Sequence, residues 1–134
     1  MSRTLNHILL VDDNVHDNFF HERILKKNGF GNNISVATNG YEALDVLLKN
    51  NPSVKPLPDL IFLDINMPGM TGWEVLDKLK AASFDVKHSK IFMLSTSSNP
   101  DDQRKAAKHE SLLGFITKPL TKDHIESILS TYFE

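Results

Sequence analysis

Five short apolar runs punctuate the chain, at residues 8–11, 34–37, 60–63, 91–94 and 115–117. None alternates cleanly between apolar and polar, which is the pattern of strands covered on both faces. Between the runs lie stretches with apolar residues at helical spacing. Residues 14–28 carry Phe19, Phe20, Ile24 and Leu25 and stop at Gly29. Residues 41–49 carry Ala43, Leu44, Leu47 and Leu48, and residues 72–82 carry Val75, Leu76 and Leu79. Residues 101–110 are polar apart from Ala106 and Ala107. The last stripe is the most regular: Ile125, Ile128, Leu129, Tyr132 and Phe133 share one helical face. Thr121 is placed to cap that helix, with Asp123 in its electropositive first turn.

Strand and helix therefore alternate five times. That order predicts an α/β fold, a doubly wound, five-stranded parallel sheet with helices on both faces. In such sheets the binding crevice lies beyond the carboxyl ends of the strands. The stretch 50–58, with Pro52, Pro56 and Pro58, reads as a loop within one domain. No repeat or low-complexity segment interrupts the pattern. Because the final stripe runs almost to Glu134, the expectation is a single domain over 1–134 with no output domain after it.

Composition narrows the function classes. The chain has 134 residues, 40% hydrophobic and 24% charged, with net charge −2, a soluble globular balance that advertises neither nucleic acid nor an anionic membrane. It has no cysteine, which removes disulfides, thiolate metal sites and cysteine nucleophiles. The first apolar run stops at two aspartates, so neither a signal peptide nor a membrane span is expected, and a cytoplasmic location fits. His7, His16, His21, His88, His109 and His124 show no metal-binding spacing and read as surface or helix residues. There is no glycine-rich phosphate loop and no Gly-x-Ser-x-Gly elbow. Trp73 reads as a packing residue at a helix start.

The candidate chemistry falls at the strand ends. Asp12 and Asp13 close the first run and Asp64 closes the third. First and third strands are commonly neighbours in a doubly wound sheet, so the three carboxylates would converge. Close carboxylates repel unless one keeps its proton or a cation binds. Oxygen ligands with room for water and phosphate suit Mg²⁺, and a carboxylate beside such an ion is a reasonable phosphoryl acceptor. Each residue also has a plainer role open to it. Asp13 and Asp64 can serve turns or caps, because Asn14 opens a helix and Asn66 and Pro68 are turn formers. Ser95, after the fourth run, offers a hydroxyl to a phosphoryl oxygen or a cap ahead of Asn99-Pro100. Lys118, after the fifth, either pairs with Asp64 or is a solvated lysine, and the bond before Pro119 is free to be cis.

Taken together, Leu10-Val11-Asp12-Asp13-Asn14, Leu63-Asp64-Ile65-Asn66-Met67-Pro68-Gly69-Met70-Thr71-Gly72, Ser95 and Lys118-Pro119 make the chain resemble a response-regulator receiver domain over essentially its whole length. The likeness is to stand-alone, chemotaxis-receiver-like regulators with the (βα)5 flavodoxin-like fold. The resemblance implies that Asp64 accepts a phosphoryl group from a phosphohistidine on a sensor histidine kinase or a histidine phosphotransfer protein. Asp12, Asp13 and Asp64 would hold Mg²⁺, with the backbone carbonyl of Asn66. Ser95 and Lys118 would bind the phosphoryl oxygens, with the Lys118–Pro119 bond cis. Phe115 stands where the family has its aromatic switch, and the face from the fourth helix to the fifth would be read by a downstream protein. Three details depart from the common pattern. Serine replaces threonine at 95, with Thr96 as the alternative hydroxyl; residues 108–113 are about one residue longer; and Phe115 lacks the hydroxyl of a tyrosine. Other readings are a phosphorelay intermediate, a Mg²⁺-dependent aspartyl phosphatase, which would want an aspartate where Asn66 stands, and a flavin-binding module.

Overall fold

The computed structural model describes residues 4–49, 57–96 and 99–133. Ser97, Ser98 and most of the proline-bearing stretch 50–58 lie outside the described residues. Within them the order is β1 (Leu5–Val11), α1 (Val15–Lys27), β2 (Gly31–Ala37), α2 (Gly40–Leu48), β3 (Leu60–Leu63), α3 (Gly72–Ala81), β4 (Lys90–Ser95), α4 (Pro100–Lys108), β5 (Leu112–Thr117) and α5 (Lys122–Tyr132). The strands form one parallel sheet in the order β2-β1-β3-β4-β5. This is the doubly wound α/β arrangement that the alternation predicted.

The sheet divides the core in two. Leu9, Val11, Ile61, Leu63, Ile91 and Met93 point to one face, against Ala43 and Leu47 of α2 and Val75, Leu76 and Leu79 of α3. Ile8, Leu10, Leu60, Phe62, Phe92 and Leu94 point to the other, against Leu25 of α1 and Ile125, Ile128 and Leu129 of α5. Neighbours along each strand thus serve opposite cores, which is why β1, β3 and β4 read as unbroken apolar runs. The edge strands differ. Asn32, Asn33 and Val36 of β2 and Leu113 and Thr117 of β5 are exposed, so neither edge is covered on both faces. β2 and β5 also begin three residues earlier than their apolar runs, because an edge ladder recruits backbone without needing apolar side chains.

Helix α1 corrects the sequence reading most. Phe19 and Phe20, counted there with the helix's apolar residues, stand 67% and 46% exposed. The buried residues of α1 are Asn18, His21 and Leu25. The polar pair turns inward because each serves a backbone group: Asn18 Nδ2 donates to the Asp12 carbonyl at 2.7 Å, and His21 Nε2 accepts from the Leu120 N–H at 3.2 Å. Between β4 and β5 the register steps from Ile91↔Leu112 to Phe92↔Gly114, leaving Leu113 as an extra residue on the edge strand. This is the stretch that read as about one residue longer than usual.

Candidate functional site

The parallel ladder aligns the strand ends. The Asp12 N–H donates to Ala37 O at 3.0 Å, and the Asp64 N–H donates to Val11 O at 2.9 Å. β1 and β3 are direct neighbours, so Asp12, Asp13 and Asp64 meet with carboxylate oxygens all within 4.8 Å of one another. Asp12 and Asp64 are buried while Asp13 is exposed, which leaves the cluster open on one side. Two glycines let the β3–α3 loop close over it. Gly69 adopts φ +82°, where a side chain would be strained. Gly72 lies so near the end of β3 that a Cβ would sit 2.3 Å from the Asp64 carbonyl oxygen. From there the Thr71–Glu74 capping box starts α3.

Asp64 titrates well above the ordinary aspartate, at about 6. Burial is the largest cause, and the neighbouring Asp12 charge adds to it. Lys118, the Ser95 hydroxyl hydrogen bond and the Ile65 N–H pull the other way. Ser95 is fully buried at the end of β4, whereas Thr96 is exposed, so the hydroxyl beside Asp64 belongs to Ser95. The Lys118–Pro119 bond is cis.

The Lys118 side chain is buried too, at 8% exposed. Its Nζ donates to Asp12 Oδ2 at 2.5 Å and Asp17 Oδ2 at 2.8 Å and stands 3.9 Å from Asp64 Oδ1. Burial opposes its charge, yet the bonds to Asp12 and Asp17 hold its pKa above the ordinary lysine value. A solvated lysine, the plainer reading, does not fit that position.

The other sequence candidates are placed as follows. Asn66 is exposed in the loop after Asp64. Phe115 is half-buried on β5 and packs beside the α2–α4 core. Trp73 is half-buried at the start of α3, stacked against His109 with Lys105 Nζ 4.6 Å from its ring centroid. The histidine reading is corrected once, at His7, which is buried on β1 with Nε2 2.7 Å from Ser35 Oγ. His21 lies on helix α1 as read, on its inner side under the β5–α5 turn, where burial first and Lys118 second lower its pKa. Asp17 and His21 are the site neighbours that sequence reasoning passed over. Their partners lie about a hundred residues away, and no local spacing marks them.

The carboxylate set suits one hard divalent cation. It offers oxygen donors only, crowds like charges that a cation would relieve, and has an exposed member that leaves room for water or phosphate. Among the described residues no helix is long and apolar enough to cross a membrane.

Comparison with known proteins agrees with the geometry. Residues 8–130 match the model of the response regulator receiver domain, and the chain belongs to that family. These domains serve two-component and phosphorelay signalling, as switches rather than turnover enzymes. Two-component response regulator ARR17 of Arabidopsis thaliana is 34% identical over 128 residues, spanning 91% of this chain and 81% of that protein. Sporulation initiation phosphotransferase F of Bacillus subtilis is 28% identical over 125 residues, spanning 93% and 91%. Among solved structures, a two-component response regulator from Cytophaga hutchinsonii superposes with TM-score 0.87 at 30% identity, covering 97% of this chain and 98% of that one. The response regulator TrrA of Thermotoga maritima in complex with Mg²⁺-BeF gives TM-score 0.73 at 26% identity, covering 96% and 99%.

Proposed function

We propose that the protein is a phosphorylation-controlled switch in which Asp64 is the phosphoacceptor. The observation that carries this reading is the convergence of Asp12, Asp13 and Asp64 at adjacent strand ends, with Ser95 and Lys118 beside the same carboxylate. Asp12, Asp13, Asp64 and the Asn66 carbonyl would hold Mg²⁺. When bound, the ion supplies charge neutralisation for the transferring oxygens. The Asp64 carboxylate attacks the phosphorus of a phosphohistidine in line, and the imidazole leaves. The Ser95 hydroxyl and the Lys118 ammonium then bind the new oxygens. Their movement draws on the ends of β4 and β5, which flank α4, and Phe115 repacks on β5. The surface from α4 to α5 becomes the surface a partner reads. A sensor histidine kinase or a histidine phosphotransfer protein is the donor, and a location in the cytoplasm suits that exchange.

The test is incubation with acetyl phosphate and Mg²⁺ followed by intact-mass measurement. One phosphoryl group is expected on the wild-type protein and none on Asp64→Asn. An Asp64→Asn protein that still gains one would overturn the assignment. A second reading, a relay intermediate, is favoured by the likeness to a sporulation phosphotransferase. It predicts onward transfer of the group from Asp64 to a histidine on a second protein, and loss of the group only to water would exclude it.

A further inference from the structure

Lys118 has three acids within reach, and the contact with Asp64 is the longest. Its Nζ bonds Asp12 Oδ2 at 2.5 Å and Asp17 Oδ2 at 2.8 Å, against 3.9 Å to Asp64 Oδ1. Asp17 sits in the first turn of α1, fixed by its own N–H donating to the side chain of the N-cap residue Asn14 at 3.0 Å. An acid there is favoured by the helix dipole without any further partner, so the bond to a buried lysine 101 residues away is additional. It is also half-open to water, with the Asp17 side chain 35% exposed and the Lys118 side chain 8%. Such a bond is strong enough to hold the ammonium and weak enough to release it.

We infer that Asp17 is a positioning residue for phosphoryl transfer, the acceptor on which the Lys118 ammonium rests before the phosphoryl group arrives on Asp64. This rests on the phosphoacceptor reading above. For Lys118 to close on a phosphoryl oxygen at Asp64, Nζ must leave Asp17 while keeping its proton. The exchange trades one charged hydrogen bond for another and consumes nothing. Asp17 therefore stabilises the unmodified form. It sets how much of the favourable Lys118–phosphoryl contact appears as net bias toward the switched form, because only the difference between the two states counts.

The experiment titrates beryllofluoride, an acyl-phosphate mimic, into the protein at saturating Mg²⁺ and reads Trp73 fluorescence. Asp17→Asn is expected to bind roughly three- to tenfold tighter than wild type, and Asp17→Ser should do the same. The control is a double-mutant cycle with Lys118→Met. In that background Asp17→Asn is expected to change nothing, because the handover has no ammonium to release. A tightening of equal size in both backgrounds would mean a general charge effect, and unchanged or weaker binding in Asp17→Asn would mean no handover. Either result overturns the proposal. A readout without metal accompanies it: the Lys118 ammonium resonance, assigned by its loss in Lys118→Met, is expected to shift in Asp17→Asn, and an unmoved signal counts against the bond. If the wild-type protein itself gives no beryllofluoride response, the phosphoacceptor reading falls and takes this inference with it. A wild-type response with an inert Asp17→Asn removes the inference alone.

Discussion

Asp12 ends β1 and Asp64 ends β3, and burial does not tell them apart: they are 4% and 6% exposed. Their partners do. The Asp12 carboxylate accepts the Asn14 N–H at 2.9 Å and the Lys118 ammonium at 2.5 Å. Asp64 has the Ser95 hydroxyl and the Ile65 N–H, while the same ammonium stays 3.9 Å away. One carboxylate is fully engaged by its surroundings; the other is buried with its charge under-compensated, and its pKa rises to about 6. The difference teaches how a single crevice gives identical side chains different electrostatic surroundings. On the proposed reading, the aspartate bonded to the ammonium suits holding a cation, and the one bonded only to neutral donors suits reacting, because a new bond relieves the charge that burial leaves under-compensated.

Four changes would break or sharpen that contrast. The largest effect is expected from Gly72→Ala. Its Cβ would meet backbone 2.3 Å away, so the end of β3 must shift. A loss of about 3 kcal/mol in urea denaturation is expected, together with a displaced Asp64. Asp64→Asn comes next, with the opposite sign. The folded protein holds the Asp64 proton up to about pH 6, whereas the unfolded chain releases it near the ordinary 3.8. Stability therefore falls as pH rises between those values and levels off above them. The variant should be about 1–2 kcal/mol more stable at pH 7.5 and should lose that slope, which denaturation at pH 4.5 and 7.5 checks. Asp12→Asn removes the like charge and leaves Lys118 freer to approach Asp64. Carbon NMR should then find the Asp64 pKa lower by roughly one unit, and an unchanged value would mean that burial alone sets it. The smallest effect is expected from Phe19→Ser on the outer side of α1, within about 0.5 kcal/mol by thermal melting, because that ring is not in the core.

The central strands were legible because burial on both faces writes itself as an apolar run. The acids were legible for a related reason: a charge directly after such a run can only sit at a strand end. Edge strands were less so, since Gly31, Asn33 and Gly114 join their ladders through backbone groups that do not depend on an apolar side chain. The inner side of α1 was misleading, because Asn18 and His21 are drawn in by backbone partners while two phenylalanines stay out. Lys118 was found through its place after β5, but its bond to Asp17 was not, because helical spacing carries no trace of a contact 101 residues away.

The step in register at Leu113 reaches beyond the packing of β5. An open edge of a parallel sheet is a template on which another chain can lay a strand, provided its donors and acceptors keep an even beat. At Leu113 the beat is broken, and at the far edge the Asn32-Asn33 pair offers an incoming strand no apolar side chains to pack on. Both margins of the sheet are thus poor seeds for fibrous growth, and that safeguard lies in the two strands that were hardest to read.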